Sequence, residues 1–384
     1  MFNLKSRTKN ILLIAGGIIL IFLFWFFSNI VSYIILSLIL SFIGRPLMRA
    51  FTRFKFRRIK IPKSLAAFIT LIVLWLLFIG TFRFLVPLLV KEFDTFSSID
   101  FGQIMNSLKD PLSRFFSFFS RKPVVFTDNT FIELISEQLN SKFGFSDLSN
   151  MVNVMANAVF ELLIGIFAVS FITYFFLREE KMFTEGVLLL VPTDMEVKVA
   201  KILSTISLLL QRYFVGIALE MLVVGILYTV GLVIIGIEFN HAVVIGLFAA
   251  LFNIIPYVGP FLGALLGLLM GLALNVQMDF MQYTLPLLLW MGLVFMIVKT
   301  MDDIFFQPLI YSSSVKAHPL EIFLVILAAG SMAGIKGMIL AIPVFTILRV
   351  IAKEFFDNLK FVRKITEDID KFEKGENSVS RHKL

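Results

Sequence analysis

Acidic side chains interrupt several long apolar stretches of this 384-residue chain. Glu161 lies within NVMANAVFELLIGIF, Glu220 lies within RYFVGIALEMLVVG, and Asp302 and Asp303 follow an apolar run that begins at residue 283. A carboxylate in hydrocarbon is costly and usually faces water or the interior of a helix bundle. These four acids are therefore candidates for binding a proton or a cation. The alternative is that each is a paired charge that holds two helices together.

A second candidate feature is the stretch NIIPYVGPFLGALLGLLMG at 253–271, which is apolar but contains two prolines. Pro256 and Pro260 lack an N–H group and crowd the preceding turn, so a straight helix is not expected there. Backbone groups freed inside a bilayer must be satisfied by protein or by trapped water. We therefore predict that this break, with Asn253 and Gly259, lines a substrate or ion pathway. A bend that serves only helix packing is the alternative.

Glycines follow the break at a regular spacing. Gly263, Gly267 and Gly271 continue from it at every fourth residue and fall on one helix face, which predicts close approach of another backbone. A second interrupted stretch, AAGSMAGIKGMILAIP, carries Gly330 and Gly334. Two interrupted apolar segments in one chain are typical of a transporter's substrate pathway, and we assign these two glycines to it.

The composition places these segments in a membrane. Hydrophobic residues make up 58% of the chain, with 45 Phe, whereas soluble domains are about 45–50% apolar. The predicted fold is an all-α polytopic membrane protein of about eight segments, including interrupted or hairpin helices and an amphipathic helical extracytoplasmic segment. The net charge is +8, and the basic residues cluster beside the apolar runs. This pattern predicts that they orient the protein in the membrane and attract anionic lipid, rather than bind nucleic acid.

Motifs for other classes of function are missing from the sequence. The three histidines form no HExxH pair, there is no GxSxG, and no GxxxxGK[ST] loop for ATP is present. The chain has no Cys, which excludes a thiolate metal site. We predict no enzymatic activity, no catalytic residue, no metal site and no cofactor.

Basic flanks predict the topology. Because both sides of 11–43 are basic, this run is interpreted as a hairpin that turns near Ser28-Asn29, with the N-terminus cytoplasmic. The apolar blocks 241–275 and 320–350 are interpreted as hairpins around one full span at 283–301. Four parts result. They are an N-terminal hairpin with a third span at 1–90, an amphipathic extracytoplasmic segment at 91–150, a membrane core with broken helices at 151–353, and a cytoplasmic tail at 354–384. A compact domain is the alternative for the second part.

Two motifs carry a family resemblance. The PYVGP core at 256–260 and the long stretch QPLIYSSSVKAHPLEIFLVILAAGSMAGIKGMILAIPVFTILRVI at 307–351 resemble the AI-2E family of bacterial transporters. The resemblance implies a multi-pass protein of the bacterial cytoplasmic membrane without a nucleotide-driven motor. It also implies a homo-oligomer, with a pentamer as one expectation. One position departs from it, because Ile217 stands where many relatives carry Gln.

The leading functional hypothesis is a secondary transporter that exports a small polar organic solute such as autoinducer-2, as the resemblance implies for some members. The alternative is a Na⁺(Li⁺)/H⁺ antiporter, in which Glu161, Glu220, Asp302 and Asp303 would be the titrating groups. A structural membrane oligomer that transports nothing is a third hypothesis. The expected partners are a small-molecule or ion substrate, membrane lipid and further copies of the chain.

Overall fold

In the computed structural model, the described residues are 26–53, 55–56, 59–97, 148–275, 278–314 and 318–356. Only the backbone is described for 55–56, 59–60, 85, 89–97, 148–161, 311–314 and 319. The first half of the predicted 11–43 hairpin therefore lies outside the described residues. So do most of the predicted extracytoplasmic segment at 91–150 and all but the first three residues of the tail at 354–384.

The described chain is almost entirely helical. The helices are α1 Ser28–Arg53, α2 Lys63–Ser97, α3 Leu148–Arg178, α4 Met182–Leu188, α5 Glu196–Ile234, α6 Phe239–Phe252, α7 Val258–Leu274, α8 Leu285–Met301, α9 Gln307–Ser314 and α10 Pro319–Phe356. Two π-helical segments, Phe280–Thr284 and Asp302–Phe306, flank α8. Two two-residue strands, Lys55–Phe56 and Ile59–Lys60, pair antiparallel between α1 and α2. This is the predicted all-α fold.

Length and apolarity make this a multi-pass membrane protein. Among the described residues, five helices are long and apolar enough to cross a bilayer, or six if the pair α3–α4 counts as one broken span. The axis bends by 88° between α3 and α4. Two shorter apolar helices, α6 and α7, have 14 and 17 residues.

The chain divides into two compact units. The first consists of Met1–Leu76 and Asp147–Val191, and the second of Leu77–Ser146 and Pro192–Leu384. In the first unit, small polar residues join α1 to α3: Ser37 Oγ donates to the carbonyl oxygen of Val169 at 3.1 Å. Trp75 Nε1 of α2 donates to Ser170 Oγ at 2.9 Å. Such hydrogen bonds hold transmembrane helices together where apolar burial gives little driving force.

In the second unit, α6 and α7 form an antiparallel hairpin whose contact is the predicted glycine stripe. A β-carbon on Gly259 would overlap the carbonyl oxygen of Phe252. One on Gly263 would stand 2.8 Å from the Cα of Ala249. The close approach of two helices therefore requires residues without side chains at this face. We call this pair hairpin A.

The helix α10 also folds back on itself. Ala333 and Gly334 leave helical geometry, with φ of −137° and +59°, and Gly334 occupies the left-handed region that favours glycine. A β-carbon on Gly337 would overlap the carbonyl oxygen of Ala329, eight residues earlier. Eight residues of straight helix span about 12 Å, whereas these two residues are in contact. The two arms of α10 therefore lie side by side. We call this pair hairpin B.

The helix α5 and both hairpins share one apolar core. This core joins Tyr213 and Ile217 of α5 to Ile255 at the turn of hairpin A and to both arms of hairpin B at Ile326 and Ile342. The Tyr257 and Phe323 rings also meet edge to face, with centroids 5.6 Å apart. The turn of hairpin A is therefore held between α5 and hairpin B.

Two helix ends differ from the sequence interpretation. We expected the span after residue 283 to close at the two aspartates, but the helix continues through them as the π segment Asp302–Phe306 and as α9. The expected break between two helices is present, but it does not reach Pro260, which lies in the first turn of α7, where its missing N–H has no intrahelical acceptor to lose. The break is therefore confined to the residues between Phe252 and Val258.

Candidate functional site

Two acids and an amide from distant parts of the chain meet in the second unit. Asn253 Nδ2 donates to Glu220 Oε1 at 3.2 Å and to Asp302 Oδ2 at 3.3 Å. All three side chains are buried, with exposed fractions of 6% for Glu220, 8% for Asn253 and 1% for Asp302. We call these three residues the acid–amide cluster.

A π turn brings Gln307 to Asp302 of the cluster. The backbone N–H of Gln307 bonds to the carbonyl oxygen of Asp302, five residues earlier, which is the defining bond of a π-helix. Pro308 has no N–H to give to the carbonyl of Ile304, so the regular α-helical bond is lost at this point. Residues five apart on an α-helix point about 140° away from each other, whereas the wider turn brings them together. Gln307 Nε2 accordingly reaches Asp302 Oδ2 at 3.1 Å.

The turn of hairpin A places Asn253. The backbone N–H of Asn253 bonds to the carbonyl oxygen of Ala249 at 3.1 Å and so ends α6. Beyond it, Tyr257 has a φ of +68°, a left-handed conformation that is strained for an aromatic residue. Tyr257 directly precedes α7, and the hydrogen bond from Val258 N–H to the Pro256 oxygen at 2.8 Å closes the turn. Asn253 is thus the last residue with an α-helical hydrogen bond before the turn of hairpin A.

Two oxygens of the cluster are buried without a partner among the described residues. They are Asn253 Oδ1 and Asp302 Oδ1. A buried oxygen without a donor is costly, and a native structure seldom retains one without a reason. In each residue the other polar atom of the side chain already makes a hydrogen bond within the cluster. The remaining oxygen is therefore available to accept a hydrogen bond from a ligand or to bind a cation.

Charges next to the cluster are unbalanced. Lys299 Nζ lies 3.6 Å from Asp302 Oδ2 and also forms a close ion pair with Asp303 Oδ1. Asp303 is half exposed, in contrast to Asp302. These four ionisable residues, counting Glu220, comprise three acids and one lysine, so the group as a whole has an excess of negative charge.

The oxygen atoms of the acid–amide cluster suit a hard cation. Carboxylate and amide oxygens bind cations such as Na⁺, Ca²⁺ or Mg²⁺ better than soft metals. Within the described ranges, no group of three or more His, Cys, Asp or Glu has the geometry of a metal site. Two carboxylates and an amide can instead bind a proton, a monovalent cation or the hydroxyl groups of a polar solute.

The other predicted site residues lie in several places. Glu161 is in α3 by its backbone, and its side chain is outside the described part of the structure. Pro256, Gly259 and Pro260 form the turn and the first helical turn of hairpin A, next to Asn253. The remaining predicted glycines lie elsewhere in hairpins A and B: Gly263 faces Ala249, Gly267 faces Ile245 and Phe295, Gly271 faces Met291, Gly330 lies in the first arm of hairpin B, and Gly334 lies at its fold.

Two residues of the site were not among the predicted ones. Gln307 directly follows two phenylalanines and precedes a proline, a context that indicates the end of a span rather than a buried amide. Lys299 is visible as a charge at the end of an apolar run, but its spacing of three and four from the aspartates gains meaning only if the helix continues. Pro308 after the DDIFFQ sequence is the signal that could have indicated a widened turn.

A comparison with family models supports the resemblance. The model of the AI-2E family transporter matches residues 14–357, which is most of the chain. The chain belongs to the AI-2E transporter family. The match spans α1 to α10 and therefore includes every residue of the acid–amide cluster.

Two relatives from Bacillus subtilis (strain 168) are similar to this family member. YueF, whose name describes it as a candidate transport protein, is 28% identical over 352 residues, covering 89% of this chain and 87% of YueF. YrrI, named in the same way, is 25% identical over 187 residues, covering 49% of this chain and 50% of YrrI. Both names indicate transport, and neither gives a substrate.

Proposed function

We propose that this AI-2E family transporter exchanges Na⁺ or Li⁺ against protons, and that the two ions compete for the acid–amide cluster. The observation that carries this proposal is that two buried oxygens, Asn253 Oδ1 and Asp302 Oδ1, have no hydrogen-bond partner in the described part of the chain, with the buried carboxylate of Glu220 beside them.

Charge is the first reason. Two carboxylates bridged by one amide and removed from water repel each other, and a shared proton or a bound cation relieves that repulsion. Only one of the two ligands is needed at a time, since each neutralises the same excess negative charge. Mutually exclusive binding of a proton and a cation at one site is what an exchanger requires.

Ligand chemistry is the second reason. Na⁺ and Li⁺ are hard cations that take oxygen ligands, and the cluster offers carboxylate oxygens from α5 and the π segment together with an amide oxygen from hairpin A. Interrupted helices supply such ligands in many secondary transporters because their freed backbone must line a cavity or be covered by protein.

Proton flux in proteoliposomes tests the proposal. Purified protein is reconstituted with a pH-sensitive dye inside, and NaCl, LiCl or choline chloride is added outside. We expect alkalinisation of the vesicle interior that depends on Na⁺ or Li⁺, because cation entry drives protons out, and its loss in Glu220→Gln and in Asp302→Asn. Glu238→Gln is the matched control, because Glu238 is an exposed carboxylate at the start of α6, outside the cluster. Full flux in both cluster variants would remove the cluster from the mechanism.

Export of a small hydroxylated solute such as autoinducer-2 is the second candidate. The same two buried acceptors also favour it, because Asn253 Oδ1 and Asp302 Oδ1 can accept hydrogen bonds from hydroxyl groups. It predicts that cells lacking the protein retain autoinducer-2, and that vesicles show cation-independent efflux of the compound. Ion-dependent proton flux without any movement of the compound would decide for exchange.

We also propose a position in the bacterial cytoplasmic membrane with both termini in the cytoplasm, and assembly as a homo-oligomer, with a pentamer as the starting expectation. Basic residues at the facing ends of α1 and α2, Arg53 and Lys63, support the orientation. The chain has no Cys, so single cysteines placed at each end and probed with a membrane-impermeant thiol reagent test it directly. Native mass spectrometry of the purified protein tests the subunit number.

A further inference from the structure

Lys299 stands between a buried carboxylate and an exposed one. Its Nζ lies 3.6 Å from Asp302 Oδ2, and it also pairs closely with Asp303 Oδ1. The exposed fractions of the side chains are 24% for Lys299, 2% for Asp302 and 50% for Asp303. Spacings of three and four residues place both acids within reach of one lysine. The ammonium group can therefore balance either carboxylate with a small movement of a flexible side chain.

The contacts of Asp302 are uneven. Its Oδ2 atom accepts hydrogen bonds from Asn253 and Gln307 and lies 3.6 Å from Lys299 Nζ. Its Oδ1 atom is buried without a partner in the described structure. A cation bound at Oδ1 and the ammonium group of Lys299 near Oδ2 would place two positive charges next to one carboxylate group. The two positive charges repel, and this repulsion is strong because the carboxylate is buried. Entry of a cation therefore favours pairing of Lys299 with Asp303 alone.

We propose that the ammonium group of Lys299 competes with the transported cation for the carboxylate of Asp302. When the cation binds, Lys299 pairs with Asp303 alone. This inference rests on the proposed exchange function and deepens it, since it assigns the residue pair that sets the cation affinity of the cluster. Lys299 and Asp303 are positioning residues here, because they act on the cation through Asp302. Charged groups that face Lys299 from the packed elements are Asp302 and Asp303 on its own helix and Glu220 on α5.

Binding of radioactive sodium to the purified full-length protein tests the competition. We expect Lys299→Gln to lower the half-saturating sodium concentration by about tenfold or more, because a competing charge is removed. We expect Asp303→Asn to raise it, because Lys299 then remains on Asp302. The double variant should match Lys299→Gln, since Asp303 acts only through the lysine. Lys299→Arg keeps the charge and should stay close to wild type.

The double variant decides the matter. If Asp303→Asn raised the half-saturating concentration equally with and without Lys299, the exchange of partners would be wrong. Weaker sodium binding in Lys299→Gln would also overturn it. These outcomes differ from failure of the proposed function, in which wild type binds no sodium and Glu220→Gln changes nothing; that result would remove the exchange function and this inference together.

Amine labelling gives a second measurement that needs no transport. Lys299 in wild-type protein should react faster with an amine-acylating reagent in NaCl than in choline chloride, as read by mass spectrometry. In Asp302→Asn its reactivity should be high in both salts, because the buried partner is neutral. Lys336, an exposed lysine of hairpin B, is the internal control and should not respond. Equal labelling of Lys299 in wild type and in Asp302→Asn would contradict the proposal.

Discussion

Asn253 Nδ2 lies 3.3 Å from Asp302 Oδ2, although the two residues are 49 positions apart and belong to a helix break and a π turn. Asn253 caps the end of α6 at the turn of hairpin A, and Asp302 begins a π segment, so both residues stand where the α-helical hydrogen-bond pattern is interrupted. Glu220 joins them from the long helix α5 through the same amide nitrogen. One amide thus bridges two carboxylates that would otherwise lie unshielded next to each other.

The bridging role of Asn253 predicts a large effect of its removal. In Asn253→Leu, both carboxylates lose a hydrogen bond of the charge-assisted kind, each worth about 1.5–3 kcal/mol. We expect ion-dependent flux in proteoliposomes to fall by about tenfold or more, with lower thermal stability. Asn240→Leu is the matched control, because Asn240 also donates to a carboxylate, that of Glu238, at an exposed helix start. Equal losses in the two variants would argue against a special role for the cluster.

Gln307 predicts a smaller effect in the same direction. Gln307→Met removes the 3.1 Å hydrogen bond to Asp302 Oδ2 but leaves the bridge from Asn253 in place. We expect a measurable loss of flux that is weaker than that of Asn253→Leu, because Asp302 keeps one donor. Gln282→Met is the control, since Gln282 is an exposed residue of the other π segment. A loss as large as that of Asn253→Leu would mean that Gln307 does more than hold Asp302.

The acids were recognisable from the sequence because a charge in an apolar run is rare, and the structure brings together two of the four named. Their partners were not recognisable. No local pattern tells that Glu220 and Asp302 share one amide, since the pairing depends on how the helices pack. Gln307 was missed for a local reason, because a polar residue before Pro308 indicates a helix end, whereas a π turn lets the helix continue.

The glycine stripe shows the opposite case. A spacing of four places Gly259, Gly263 and Gly267 on one face by helix geometry alone, and close packing follows from their missing side chains. What the spacing could not tell is the partner, which is the preceding helix α6. Pro260 was wrongly given the role of a breaker because a proline breaks a helix interior and is tolerated in a first turn.

His318 predicts a purely structural effect. The backbone N–H of Leu320 donates to His318 Nδ1 at 3.2 Å, so the imidazole caps the start of α10. His318→Ala should lower the free energy of unfolding by about 0.5–2 kcal/mol, and His318→Asn, which retains a capping side chain, should recover most of it. Thermal melting of the detergent-solubilised protein measures both. The pH profile of transport should be the same in the two variants; a displaced profile would instead make His318 a proton-binding residue.

Gly259 predicts how tightly hairpin A is closed. In Gly259→Ala, the added methyl group would overlap the carbonyl oxygen of Phe252, so the hairpin must open or α7 must move. We expect destabilisation of about 1–3 kcal/mol and a loss of flux, because Asn253 lies next to this contact. Gly292→Ala is the matched control, since a β-carbon there has nothing within 4 Å. A Gly259→Ala protein as stable and active as Gly292→Ala would show that the turn of hairpin A adjusts freely.

Sodium itself should stabilise the folded protein. A ligand that binds only the native state raises stability by about 2.7 kcal/mol at one hundred times its dissociation constant. We expect a higher melting temperature in NaCl than in choline chloride at equal ionic strength, and no such difference in Asp302→Asn. Protons compete for the same carboxylates, so the stabilisation by sodium should be full at high pH and should shrink as the pH falls. Asp279→Asn is the control, because Asp279 is an exposed capping acid and Asn caps equally well. A sodium shift that survives in Asp302→Asn would place the cation away from the cluster.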